Sequence, residues 1–93
     1  MIQGFADFET ERFFNDGVCP SRWQAVSRVA GRKLDMLDAA ISLDALRSPP
    51  GNRMEALKAD RAGQFSIRVN ERWRICFVWT ERGPNQVEIV DYH

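Results

Sequence analysis

The stretch that decides the fold is residues 64–79, QFSIRVNERWRICFVW, where apolar and polar side chains alternate on both sides of a short polar loop. A period of two is typical of β-strands with one buried face. The apolar side chains of both strands share that face if they form a hairpin in which Val69 pairs with Trp73. This register places Arg68 directly opposite Arg74 on the outer face of the sheet.

The last apolar run, residues 86–92 (QVEIVDY), predicts one further strand after the turn TERGPN. The same need for a shared apolar face pairs Arg74 with Tyr92. A row Arg68–Arg74–Tyr92 then crosses three strands on the outer face. Two arginines side by side in a ladder either splay into water or hold an anion between them, and the pattern leaves both readings open.

The first half of the chain predicts two helices. Residues 1–5 (MIQGF) are short and apolar and predict a first strand. Asp7 is then a suitable N-cap for a helix that ends at Gly17. Apolar residues recur at steps of three and four over residues 21–40, which predicts a second helix. A loop rich in proline and glycine follows, and residues 53–57 (RMEAL) predict a short strand.

Two helices followed by antiparallel strands predict an α+β domain, with the N-terminal helices packed on a mainly antiparallel sheet of four or five strands. Residues 1–93 are expected to form a single domain, because a chain of this length buries enough surface to fold without disulfides or a structural metal. The cysteines, Cys19 and Cys76, are expected to be reduced thiols. Without an export signal or a long apolar run, the sequence predicts a cytoplasmic protein with no membrane partner.

Charge is unevenly distributed, although 13 basic residues balance 13 acidic ones. Residues 46–82 carry eight Lys or Arg against four Asp or Glu, whereas residues 1–45 carry five against seven. A local excess of positive charge suits an anionic partner, although charged segments are more often plain solvated surface.

Four short motifs follow one another in the second half of the chain: LKADR at 57–61, SIRVN at 66–70, WRICF at 73–77 and DYH at 91–93. In this order and at these spacings they resemble the HigB-type toxins of the RelE/ParE superfamily, close to the GraT-like branch. The likeness extends over nearly the whole chain. It implies the RelE-like fold, in agreement with the α+β prediction.

The resemblance implies the toxin of a type II toxin–antitoxin system, which cleaves mRNA on the ribosome and so inhibits translation and growth. The implied reaction uses no metal and no other cofactor, because the ribose 2′-OH attacks the adjacent phosphate. The implied partners are the ribosome with its mRNA and a cognate HigA-like helix-turn-helix antitoxin. The toxin would associate with operator DNA only through that antitoxin.

Such cleavage needs a base, an acid and fixed positive charge around the phosphorane. Carried over by the resemblance, Arg74 is the phosphate-binding arginine and Lys58 is the loop lysine that neutralises phosphate or shifts a neighbour's pKa. Tyr92 is the terminal tyrosine, which stacks on a base or takes part in proton transfer. His93, the sole histidine, is a general acid or base, and the choice stays open. On its strand Arg74 is predicted to face outward, so that Arg74→Ala costs less than about 1 kcal/mol of stability.

Further residues complete the predicted site. Asp91 orients His93 or Lys58, and Glu55 is either a base or a salt-bridge partner of Lys58. Glu55 stands where many HigB-type toxins have histidine, and Ala59 stands in place of their usual glycine, so the division of acid and base roles is open. The additional RNA or phosphate contacts are predicted at Arg68, Arg61 and Arg53. For Arg61 the main predicted role is structural, in pinning its loop.

Two other functions are compatible with the same fold. The ParE-type branch inhibits DNA gyrase by binding, without chemistry, and a degenerate toxin would act only as a co-regulator of its antitoxin. The presence of Lys58, Arg74 and the DYH terminus favours the ribonuclease, since a binding module does not need these groups together.

Overall fold

The computed structural model describes residues 1–91, so Tyr92 and His93 lie outside the described part. Helix α1 spans Phe8–Asp16 and helix α2 spans Ser27–Ala39. The strands are β1 Glu55–Ala56, β2 Phe65–Arg68, β3 Trp73–Thr80 and β4 Gly83–Asp91. They form one antiparallel sheet in the order β1-β2-β3-β4, which confirms the predicted α+β fold with four strands.

Helix α1 begins and ends where the sequence predicts. Asp7 has an extended backbone, and its carboxylate accepts a hydrogen bond from the Thr10 N–H at 2.6 Å. At the other end Gly17 has a φ of 72°, a left-handed conformation that glycine adopts without steric cost. Its N–H donates to the Phe13 carbonyl, which closes the last turn.

The predicted second helix over residues 21–40 is only partly correct. Ser21–Val26 form a 3₁₀ helix, and the α-helical backbone starts at Ser27. At the start of this 3₁₀ helix the Trp23 N–H donates to the Pro20 carbonyl, three residues earlier, at 3.0 Å. It places Trp23 fully inside the core, with its ring 6.4 Å from that of Trp73.

The predicted first strand is wrong, because residues 1–5 contribute only an isolated parallel bridge between Phe5 and Val87. The segment still lies along β4, since the Gln3 N–H donates to the Pro84 carbonyl at 2.7 Å. Regular pairing stops because Gln86 of β4 has a left-handed backbone with a φ of 52°, which breaks the even spacing of hydrogen-bonding groups.

The hairpin of β2 and β3 has the predicted register. Val69 donates its N–H to the Trp73 carbonyl at 2.9 Å, and Arg68 pairs with Arg74. The apolar side chains of both strands therefore face the helices, as the alternation requires.

The predicted register of β3 and β4 is wrong by two residues. The strands continue to a tight turn in which Thr80 pairs with Gly83, and a bulge follows between Cys76 and Val78. Arg74 consequently pairs with Val90 rather than with Tyr92. On the Arg74 side of the bulge the inward faces are still correct, because a shift of two residues leaves each side chain there on its original side.

The core lies between the inner face of the sheet and the two helices. Fully buried residues from both layers meet there, including Trp23, Leu34, Leu37, Ile67, Ile75, Phe77 and Val87. Within residues 1–91, no helix has the length and apolar character needed to cross a membrane.

Thr10 ties α1 to the outer edge of β4. Its buried hydroxyl accepts a hydrogen bond from the Ile89 N–H at 3.2 Å. Thr10→Val keeps the shape of the side chain but leaves that N–H without a partner, so we expect a loss of about 1–3 kcal/mol in the free energy of unfolding. Urea denaturation measures the loss. Thr10→Ser keeps the hydroxyl and is the control, and equal stability of Thr10→Val and the wild type would contradict the assignment.

Candidate active site

The outer face of the sheet carries two neighbouring rows of side chains, most of them polar. One row runs across all four strands through Glu55, Ser66, Cys76 and Glu88. The next row contains Arg68, Arg74 and Val90. The predicted pair of arginines is thus present, with a carboxylate at each end of the adjacent row.

Arg74 is held by acceptors from two different parts of the chain. Its Nε donates to Ser66 Oγ at 2.7 Å, and its Nη2 donates to the Arg53 carbonyl at 2.6 Å. The Glu55 carboxylate lies 3.8 Å from Nε. A guanidinium with this many directional contacts has a defined orientation, unlike that of a mobile surface arginine.

Arg74 is only 8% exposed, so the expectation of an outward, weakly packed side chain is wrong. The residue does point to the outer face, but the Arg53 carbonyl and the Glu55 carboxylate contact its guanidinium there. Residues 53–61, which include β1, are called the covering segment. Leu57 anchors this segment, since it is buried and its N–H donates to the Gln64 carbonyl at 2.9 Å. The alternation of side chains along a strand predicts the direction in which each one points. It does not reveal which distant segments contact that side chain.

Arg61 pins the covering segment to the sheet, in line with its predicted structural role. Its guanidinium donates to Gln64 Oε1 at 3.0 Å and to Glu88 Oε1 at 3.3 Å. Cys76 lies beneath the segment and is fully buried. Burial raises the pKa of its thiol and outweighs the opposing effect of the nearby Arg61 guanidinium. Cys76 is therefore a packed thiol and not a nucleophile.

Lys58 lies in the covering segment, with an exposed side chain, just before the turn Ala59–Arg61. Within residues 1–91 no ion pair joins Lys58 to Glu55, so the predicted salt bridge between them is not formed; Glu55 lies beside Arg74 instead. Arg53 contributes its backbone carbonyl, while its side chain is exposed. Arg68 stays half-buried beside Arg74.

Asp91 lies on the other side of the sheet from Arg74. It pairs with Trp73, whose side chain is in the core, and its carboxylate accepts a hydrogen bond from Arg72 Nε at 2.9 Å. The structure therefore brings together Arg74, Glu55, Arg68 and the Arg53 carbonyl, while Asp91 is directed elsewhere. The predicted roles of Tyr92 and His93 fall outside the described residues.

Sequence reasoning missed Ser66 and the Arg53 carbonyl as partners of Arg74. Ser66 pairs with Cys76 and reaches Arg74 diagonally, which alternation alone does not reveal. Arg53 lies 21 residues from Arg74, and its carbonyl is aimed by a left-handed backbone with a φ of 42°. A basic residue carries no sequence signal for that conformation, which is uncommon outside glycine and asparagine.

With this geometry established, comparison with known proteins identifies the family. A family model described as "RelE-like toxin of type II toxin-antitoxin system HigB" matches residues 3–93. The chain belongs to this family. HigB toxins are mRNA interferases, so this HigB-family toxin is an endoribonuclease. A toxin of this class has an antitoxin as its partner. The gyrase-binding and degenerate alternatives are not favoured.

Individual proteins are similar to this chain over most of its length. Toxin HigB-1 of Vibrio cholerae serotype O1 is 40% identical over 85 residues, which cover 87% of this chain and 86% of the relative. An uncharacterised protein of Haemophilus influenzae is 33% identical over 84 residues, which cover 89% of this chain and 83% of the relative. The YoeB–YefM complex of Staphylococcus aureus contains a chain with a TM-score of 0.63. That match covers 100% of this chain and 95% of the other at 18% identity, and it shows a shared fold alone.

Proposed function

We propose that this HigB-family toxin cleaves mRNA bound to the ribosome through the outer-face site around Arg74. The observation that carries the proposal is the fixed guanidinium of Arg74, which is oriented by Ser66 and the Arg53 carbonyl beside a second arginine. Positive charge that is already oriented stabilises a transition state without reorganisation at the moment of reaction. A phosphorane with additional negative charge is the transition state that such a group suits.

The chemistry is an in-line displacement within the RNA chain. A base removes the 2′ proton, the O2′–P bond forms, and the P–O5′ bond breaks as an acid protonates the leaving oxygen. The products are a 2′,3′-cyclic phosphate and a 5′-hydroxyl. Arg74 faces the phosphorane, while His93, Tyr92, Lys58 and Glu55 are the candidate acids and bases. Asp91, paired with Arg72, acts indirectly by orienting the terminal residues.

The basic residues around Arg74 provide the remaining phosphate contacts. Arg68 is its cross-strand neighbour, and the Arg53 side chain and Lys58 are exposed on the covering segment. Arg61 lies further along the same segment, where its guanidinium is engaged by Glu88. Together they form a positive surface along which a single RNA strand binds by its phosphates.

The proposed partners are the ribosome and a HigA-like helix-turn-helix antitoxin, in a cytoplasmic setting. Expression of the toxin alone should stop growth, and co-expression of its antitoxin should restore it. In vitro translation followed by primer extension should map new 5′ ends inside translated mRNA. Growth arrest with intact mRNA and blocked DNA supercoiling would instead support gyrase inhibition. An absence of growth arrest would contradict toxicity itself.

Arg68→Gln tests the proposed RNA surface without touching Arg74. We expect weaker binding of a single-stranded mRNA fragment that carries a 2′-deoxy nucleotide at the cleavage position. The slope of log affinity against log salt should fall by about 0.7, because one phosphate contact is lost. Stability should change by less than about 0.5 kcal/mol, as for most surface substitutions. Arg82→Gln, in the exposed turn between β3 and β4, removes the same charge and is the control. Identical salt slopes for the two variants would place Arg68 outside the RNA surface.

A further inference from the structure

Asn52 connects helix α2 to the loop that precedes Arg53. Its side chain is fully buried, and its amide nitrogen donates to the Leu46 carbonyl at 3.0 Å and to the Ser48 carbonyl at 3.4 Å. Its amide oxygen accepts a hydrogen bond from Lys33 Nζ at 2.5 Å. Burial at this contact lowers the pKa of Lys33, and the neighbouring Arg32 adds a smaller effect in the same direction.

Lys33 and the two loop carbonyls together fix which way the Asn52 amide points. A lysine side chain offers only donors, so it requires the amide oxygen on its side. The amide nitrogen then faces the two loop carbonyls, which require a donor. Rotation of the amide by half a turn would place N–H groups against the ammonium and an oxygen against both carbonyls, so one orientation is strongly favoured.

The loop held in this way ends at Arg53, whose backbone is strained. Its φ of 42° lies in the left-handed region, which residues other than glycine adopt only where their surroundings impose it. The Arg53 N–H donates to the Pro50 carbonyl at 3.1 Å, and the Arg53 carbonyl accepts from Arg74 Nη2 at 2.6 Å. The constraint next to this strained residue is the buried amide of Asn52.

We infer that Lys33 and Asn52 are positioning residues, which set the orientation of the Arg74 guanidinium through the Arg53 carbonyl. Neither residue needs to touch RNA for this role. The inference rests on the proposed function for its effect on cleavage, but the orientation of Arg74 is measurable separately. It assigns a task in the active site to a lysine on the helical layer, on the far side of the sheet from the candidate site.

The test compares Lys33→Met, which removes the donor and keeps the apolar stem, with Lys33→Arg, which keeps a donor. Arg28→Met removes an exposed charge from the same helix and is the matched control. Three quantities are measured on the chain of residues 1–93. They are the rate of mRNA cleavage at saturating ribosomes, the half-saturating ribosome concentration, and the NMR signal of the Arg74 Nε–H group. Circular dichroism verifies the fold, and Lys33→Leu, which also has no donor, replaces Lys33→Met if that variant does not fold.

We expect Lys33→Met to lower the saturated rate by roughly tenfold to a hundredfold, since small displacements of a positioned group have such effects. The half-saturating concentration should stay unchanged, and the Arg74 Nε–H signal should shift and exchange faster with solvent. Lys33→Arg should restore much of the rate, and Arg28→Met should leave all three quantities as in the wild type. An unchanged Arg74 signal in a folded Lys33→Met variant would overturn the inference, whatever the rate. A different outcome separates the two proposals. If the wild type cleaves no mRNA but the Arg74 Nε–H signal differs between Lys33→Met and the wild type, the proposed function fails and the positioning role is upheld.

Discussion

Arg74→Ala is expected to slow cleavage of ribosome-bound mRNA by about a hundredfold or more. The guanidinium is oriented before substrate binds, and the loss of one preorganised group that stabilises a transition state typically costs this much. The measurement is the single-turnover cleavage rate at saturating ribosomes. Because the contact operates mainly in the transition state, the half-saturating concentration should change much less than the rate.

The same substitution should also destabilise the fold, in contrast to the expectation from sequence. Truncation leaves Ser66 and the Arg53 carbonyl without their partner in a buried environment, which costs about 1–3 kcal/mol. Urea denaturation separates this loss from the loss of activity, since most molecules stay folded at room temperature if the domain has ordinary stability. Arg74→Lys keeps the charge without the fork geometry and should recover only part of the rate. Arg82→Ala, in the exposed turn between β3 and β4, is the control for the removal of an arginine. A folded Arg74→Ala variant with wild-type cleavage would exclude Arg74 from the chemistry.

Removal of His93 is expected to lower the cleavage rate by about 10²–10⁴ while leaving the thermal midpoint unchanged. Proton transfer by a positioned side chain contributes this range, and His93 is the only histidine in the chain. Its ordinary pKa lies close to neutrality, so the wild-type rate should also change between about pH 5 and pH 8. The rates are measured for the wild type and for a chain that ends at Tyr92.

Two controls distinguish proton transfer from other effects of the truncation. His93→Asn keeps the chain length but not the titratable ring, so it should be as slow as the truncated chain. Added imidazole should restore part of the rate in both variants and none in Arg74→Ala. Full activity of the folded truncated chain would show that another group performs the proton transfer.

The sequence alone was sufficient for the elements that local patterns control. The caps of α1 at Asp7 and Gly17 were predictable because each residue satisfies the helix end by its own chemistry. The pairing of Arg68 with Arg74 was predictable because burial of one face permits only one register around a short loop. The resemblance placed the family, which the match over residues 3–93 then established.

Other features were decided only when distant segments met. The bulge that shifts β4 and pairs Arg74 with Val90 depends on the left-handed backbone at Gln86, for which glutamine carries no signal. The guanidinium of Arg74 is held by a segment that is distant in sequence, since its carbonyl acceptor at Arg53 is 21 residues away. The hydrogen bond from Lys33 to Asn52 joins helix α2 to a loop. No periodic pattern in the sequence predicts that these two segments are in contact. Local sequence determined which residues lie on each face, because side-chain direction follows from the strand period. Tertiary structure decided what holds them there, because hydrogen bonds between segments depend on how the whole chain packs.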